Sequence, residues 1–288
     1  AARGERAEAR AKLLAALALW DRISDTEGAA EARLRLGRTF LSEGRLGEAE
    51  DQLQRAAQAF KTMNQRVRTS EATTSLAEAH LLRGDITRAR DWADRALEEA
   101  KGADQAKVQV EVQRLRAELA LVVGDLAGAE ELAEKAAEEA ARASHQSVEC
   151  QARIALGLAR LRRGRLVDAE RDLREALELA RERGDPALGA QARLAIAQVH
   201  LVRGEPAGTL AELERARDAA QEHRDAHLEV QSLIALGRTH VFLGQTRRAG
   251  QLLEMARQRA QELDLGLALA DATLLRAEAL LEQAAARR

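Results

Sequence analysis

The chain has 288 residues, 46% of them hydrophobic and 32% charged, which excludes a disordered tail. Its 45 basic and 47 acidic residues leave a formal net charge of -2, so it lacks the basic surplus of a dedicated nucleic-acid or anionic-membrane binder. With 63 Ala, 2% aromatic residues and no Tyr, the core is built from small side chains and Leu, which suits closely packed helices and not a sheet.

Of the basic residues 40 are Arg and five are Lys, which together with the Ala excess points to a GC-rich bacterial source. The lone Cys150 cannot close an internal disulfide, and no apolar run approaches a membrane span. The opening AARGERAEAR has no signal-peptide pattern and no initiator Met, so the expectation is a cytoplasmic segment of a longer protein.

Glycines set the elements along the chain: Gly4, Gly44, Gly84, Gly124, Gly164, Gly204 and Gly244 recur at one constant step. The first element, 1–24, is a half repeat in which one helix leaves Gly4 and carries Ala9 and Ala16 on one face. Full repeats follow at 25–64, 65–104, 105–144, 145–184, 185–224 and 225–264, and a half repeat at 265–288 closes the chain. In each full repeat a helix A runs up to the glycine and a helix B leaves it. Gly reaches the left-handed conformation that ends a helix without a Cβ penalty. Turns from B to the next A carry Ser24, Asn64, Asp104, Ser144 and Asp185, and Pro186 and Pro206 stand near helix starts.

The columns of helix A keep the same step. Seven positions before each turn lie Gly37, Ala77, Ala117, Gly157, Ala197, Gly237 and Ala277, all small, and three before it lie Leu41, Leu81, Leu121, Leu161, Leu201, Val241 and Leu281. Helix B carries Ala five positions after the turn, with Thr209 the exception, and at all seven positions twelve after it, including Ala56, Ala136 and Ala216. Spacings of three, four and seven put these columns on one helical face. Small residues there let helix axes approach to about 8 Å. Neighbouring pairs then bury what one pair cannot, so stability accumulates interface by interface.

These columns resemble the tetratricopeptide repeat. The Leu-Gly step stands at Leu36-Gly37, Leu156-Gly157 and Leu236-Gly237, and the Ala slots are those above. The slot for Phe holds Leu13, Leu53, Leu173, Leu213 and Leu253 among others; the slot for Tyr holds Phe40, His80, Arg160, His200 and His240 among others. The Trp slot is not filled by Trp, the closing Pro is missing and the period is 40 where the family has about 34, as in long-helix variants. The resemblance implies an all-α, right-handed α-α superhelix, a solenoid of about fourteen antiparallel helices. It further implies a protein-protein interaction module with helix A lining a groove.

His80, His200 and His240 share the inter-helix Tyr slot, which makes them structural residues and not metal ligands. His223 and His227 flank the B-to-A turn at Arg224-Asp225, and Cys150 sits beside small apolar columns as an inert thiol. No glycine precedes a Lys-Ser or Lys-Thr pair, so no phosphate loop is present. The expectation is no enzyme, no metal and no cofactor.

By resemblance the groove columns lie thirteen, ten and six positions before each turn glycine. Early repeats present mainly charge there: Glu71, Glu78, Glu111, Arg114 and Glu118, with Glu31 and Arg38. Later repeats present Gln151, Ile154, Leu158, Gln191, Leu194, Gln198, Gln231, Ile234 and Arg238. Gln both donates and accepts, so a Gln ladder could hold a peptide backbone while Ile154, Leu194 and Ile234 take its apolar side chains. In the alternative, the polar residues face water and the aliphatics belong to the core. The expected partner is a protein or peptide, not nucleic acid or a membrane, within a larger bacterial signalling or regulatory protein. A rival reading is a structural rod that self-associates head to tail through its terminal half repeats.

Overall fold

The computed structural model describes residues 2–101 and 106–285. Among the described residues there are fourteen helices and no strand. Contacts group the chain into two compact units. The first, residues 1–152, holds α1 (Ala2–Arg22), α2 (Thr26–Ser42), α3 (Leu46–Thr62), α4 (Arg66–Arg83), α5 (Ile86–Lys101), α6 (Ala106–Val123), α7 (Leu126–Arg142) and the start of α8 (Gln146–Arg162). The second, residues 153–288, holds the rest of α8, then α9 (Leu166–Arg183), α10 (Pro186–Val202), α11 (Pro206–His223), α12 (Ala226–Phe242), α13 (Thr246–Glu262) and α14 (Gly266–Ala285). From α2 onward, even-numbered helices are the A helices of the sequence pattern and odd-numbered ones the B helices.

Helix ends are fixed by left-handed residues. Gly44, Gly84, Gly124, Gly164, Gly204 and Gly244 all have positive φ, between 69° and 86°. Gly4 does not serve this way: α1 already begins at Ala2, so the glycine lies inside a helix. The B-to-A turns use the same conformation at Ser24, Asn64, Ser144, Gly184, Arg224 and Asp264. Asp104 lies outside the described residues. The side-chain cap sits one position after the left-handed residue. Asp25, Asp185 and Asp225 accept from the backbone N–H three positions on, at 2.9, 3.1 and 2.9 Å. At each turn the chain closes on itself, as where Arg45 N–H reaches the Phe40 carbonyl at 2.9 Å and Gly44 N–H the Leu41 carbonyl at 3.0 Å.

The small columns are where paired helices touch. Ala56, Ala96, Ala136, Ala176, Ala216 and Ala256 are all 0% exposed. A Cβ added at Gly37, Gly157 or Gly237 would fall 2.5–2.6 Å from Leu53, Leu173 or Leu253 on the following helix. The two columns are matched in size. Gly stands in A where Leu stands in B, whereas Ala77 and Ala117 go with Ala93 and Ala133. Ala197 with Leu213 carries one methyl more, and nothing in the structure explains it.

Within the first unit α2, α4 and α6 pack on one another, and within the second α10, α12 and α14 do. The odd-numbered helices make no comparable contact with each other among the described residues. In each unit, then, the even helices are drawn closer together and line its inner face. Neighbouring repeats are also tied by charge at one recurring offset: Arg10 with Glu43 at 2.5 Å, Glu50 with Arg83 at 2.8 Å, and Glu170 with Arg203. The first tie reverses the sign of the others, and the equivalent positions Leu210 and Leu243 are apolar. Each such partly exposed pair is worth about 0–1 kcal/mol, so the ties set pairing more than stability.

The Gly–Leu contact is directly testable. Gly37→Ala should cost about 1–3 kcal/mol and Leu53→Ala about 2–5 kcal/mol. The double variant should lose less than the sum, because Ala with Ala is the pairing found at residues 77 and 93. Chemical denaturation of the four proteins measures the coupling, and strict additivity would refute the contact.

Candidate partner-binding face

In the first unit the inner face is a mesh of charges. Arg68, from the start of α4, donates to Glu71 at 2.8 Å and lies 3.6 Å from Glu31 of α2. Arg38 Nε donates to Ser75 Oγ at 3.2 Å across the α2–α4 interface. On α6, Arg114 donates to Glu118 at 2.5 Å. Glu78 of α4 faces Arg114, Glu118 and Glu111 from α6 and Arg38 from α2. The predicted Glu71, Glu78, Glu111, Arg114 and Glu118 are thus brought to one face, and half-buried Gln151 belongs to the same unit. Arg68 and Ser75 were not among the expected residues. Arg68 and Glu31 occupy different columns of their repeats, so no single column reveals the pair.

Burial decides the charge states here. Loss of solvation pushes the Glu78 carboxyl above its ordinary value, and Arg114 and Arg38 only partly counter it because Glu118 and Glu111 oppose them. For Arg114 burial again works against the charge, yet Glu118 and Glu78 outweigh it and raise its pKa further. The Arg114 Nε–H is buried and has no hydrogen-bond acceptor.

In the second unit the aliphatic residues go inward. Ile154, Leu194 and Ile234 are 8%, 5% and 7% exposed, and Leu194 belongs to a core cluster with Ala197, Leu213 and Leu236. Their column is buried in the first unit as well, at Leu34, Thr74 and Arg114. At about 100° per residue it lies only about 20° from the column three before the turn, beside the A–B contact stripe. These three residues therefore form core and offer no open apolar pockets. Leu158, Gln191, Gln198 and Gln231 are half-buried, and Arg238 is exposed. Gln231 donates to His227 Nε2 at 2.8 Å, one turn back in α12.

The Tyr-slot residues each find an internal partner. His80 Nε2 is 3.5 Å from Glu50, and burial lowers the imidazole pKa despite that carboxylate. In the second unit His200 lies 3.5 Å from Glu170, His240 Nδ1 is 2.7 Å from Gln245, and Arg160 is paired with buried Asp172 at 2.6 Å. Glu170 shows the opposite balance to Glu78: burial raises its pKa, but hydrogen bonds from Arg174 and Arg203 prevail and bring it down to about 2. Cys150 is buried. His223 and His227 sit on different helices, α11 and α12. Among the described residues no group of His, Cys, Asp and Glu is arranged to hold a metal ion, and no helix is long and apolar enough to cross a membrane.

Antiparallel helix pairs with small-residue contacts and a polar inner face define a helical-repeat scaffold of the solenoid class. Residues 1–64 and 65–106 match the tetratricopeptide repeat family model. No curated protein matches it in sequence. Among solved structures it is similar to the Rap conjugation gene regulator of plasmid pLS20 in complex with the Phr peptide. That match has 15% identity and a TM-score of 0.64, over 93% of this chain and 77% of that one. A Rap protein complexed with competence and sporulation factor matches at 15% identity and TM-score 0.63, over 90% and 76%. A signal-transduction ATPase from Pyrococcus horikoshii with a tetratricopeptide repeat sensor matches at 15% identity and TM-score 0.60, over 88% of this chain but 40% of that protein. These likenesses establish the fold.

The raised Glu78 pKa has a defined consequence for stability. A carboxyl that holds its proton more tightly when folded stabilises the fold fully below the unfolded-chain pKa, and that contribution is lost as pH rises through the folded value. Ionised Glu78 is therefore a liability at neutral pH. Glu78→Gln should raise Tm there, by about 2–4 °C for each kcal/mol relieved. The advantage should close as pH falls below the ordinary Glu value of 4.5. Thermal melts of both proteins across pH check this, and a destabilised Gln variant at neutral pH would contradict it.

Proposed function

We propose that the inner face of the even-numbered helices binds an extended peptide or a protein segment, and that the chain serves as the partner-binding part of a larger bacterial signalling or regulatory protein in the cytoplasm. Its functional units are the repeats running from 25 to 264. The observation that carries this reading is a division of labour along the A helices. One stripe is sealed against helix B, while a second stripe, which includes Glu78 and Glu118 in one unit and Gln191 and Gln198 in the other, stays polar and partly open to solvent. A core needs no such stripe. Two of the similar structures are complexes of this fold with a peptide or factor. A scaffold rigid before its partner arrives loses less ordering entropy on binding.

A second reading is self-association through the terminal helices, favoured by their exposed apolar side chains. Leu19 and Ile23 at the end of α1, and Leu274 and Leu281 on α14, are each more than half exposed. Leu13 and Ala277 stand in the two columns that meet elsewhere as Leu53 and Gly37. One set of variants separates the readings. Peptides selected from a random library on the 288-residue chain should lose about tenfold or more in affinity on Gln191→Lys/Gln198→Lys or on Glu78→Lys/Glu118→Lys. Light scattering should be unchanged in the same variants. If selection yields no peptide sensitive to either pair, while Leu274→Glu/Leu281→Glu dissolves an oligomer, the ends and not the inner face are the interaction surface.

A further inference from the structure

The inner face of the first unit contains a carboxylate whose potential partners are engaged elsewhere. Glu78 is flanked by two guanidinium groups, but neither bonds it. Arg114 donates to Glu118 at 2.5 Å, and Arg38 donates to Ser75 at 3.2 Å. Among the described residues no hydrogen bond or ion pair reaches the Glu78 carboxylate. Around it stand Glu118 and Glu111 as well, so the cluster, with Glu78 itself, holds three carboxylates and two guanidiniums. Beside it, and independently, the Arg114 Nε–H is buried without an acceptor although the residue is only 8% exposed.

We infer that the inner face of the first unit binds an extended peptide carrying an Arg or Lys side chain, which enters between α4 and α6 and pairs with Glu78. The inference rests on the reading of the inner face as the binding surface and adds the chemistry of the partner. A guest cation supplies the donor that Glu78 lacks, and charge-assisted hydrogen bonds of this kind are the strong ones. The peptide backbone supplies carbonyl acceptors along the same face, which a small shift would bring to the Arg114 N–H. A metal ion fits the site poorly, because no described group of carboxylates converges on one coordination shell. An acidic peptide would add to the carboxylate surplus. Burial raises the Glu78 pKa, so its carboxylate forms at higher pH than an ordinary Glu, and the cation pairs with that ionised form. Binding therefore strengthens as pH rises through the Glu78 titration, with Arg38, Arg114, Glu111 and Glu118 setting its position.

The test uses the 288-residue chain and three fluorescein-labelled peptides that alternate Ser with Arg, Asp or Gln, measured by fluorescence anisotropy. The Arg peptide should bind, and the Asp and Gln peptides should bind at least about tenfold more weakly. Glu78→Gln should weaken the Arg peptide about tenfold and remove the pH dependence of its affinity. Glu98→Gln, which removes a carboxylate from the outer helix α5, should change the affinity less than about twofold. Circular dichroism confirms that both variants are folded. If Glu78→Gln binds the Arg peptide as tightly as the wild type, the inference falls. If Gln or Asp peptides bind as well as Arg and compete with it, the inner face remains a binding surface but the cationic partner is wrong. If none of the three binds, the inference falls, and if library-selected peptides fail too, the inner-face reading falls with it.

Discussion

Everything in this protein depends on how closely two helix backbones approach within each pair. The contact is made by residues with almost no side chain: Gly or Ala on helix A, and the fully buried alanines of helix B. Ala buries little area on its own, so cohesion comes from many backbone atoms held at van der Waals distance along the length of the pair. That explains the size matching of Gly37 with Leu53 and of Gly157 with Leu173, where a single added methyl has no room. It also explains why so few aromatic residues suffice. The approach is possible because each helix stops at a set point, where a left-handed residue turns the chain back on itself.

A core confined to one stripe leaves the opposite stripe free of packing duty, and the charges there follow local partners. Glu170 and Glu78 stand six positions after and six before their nearest turn glycines, and their environments pull apart. Glu170 receives two guanidinium hydrogen bonds and falls to about 2, whereas Glu78 is desolvated beside arginines that bond to other groups and rises. The first behaves as part of the scaffold that ties repeats together. The second is a partly enclosed carboxylate whose ionised form the surroundings disfavour.

Most of the fold was legible because its determinants are residue types that few positions tolerate. Left-handed turns want Gly or a short polar residue, and the close contacts want Gly or Ala, so both appear as columns at a regular step. Gly4 kept the step without the turn, since a helix already runs through it. The inner face was legible in part. The columns thirteen and six before the turn are half-buried or exposed apart from buried Glu71, but the column between them leans toward helix B and carries Ile154, Leu194 and Ile234 into the core. Helical periodicity places that column about 20° from the aliphatic column three before the turn, so its burial follows from spacing once the A–B contact stripe is known.

The sequence alone determined the helical class, the paired-helix repeat, the turn positions and the set of polar residues carried along one side of the A helices. Those follow from local sterics and periodicity, which act over short stretches of chain and leave a mark at every repeat. Tertiary structure decided which of those residues are buried, which arginine bonds which carboxylate, and that Glu78 is the one left over. These outcomes depend on side chains from different repeats that meet across helices, where desolvation and competing hydrogen bonds, not residue type, set the balance.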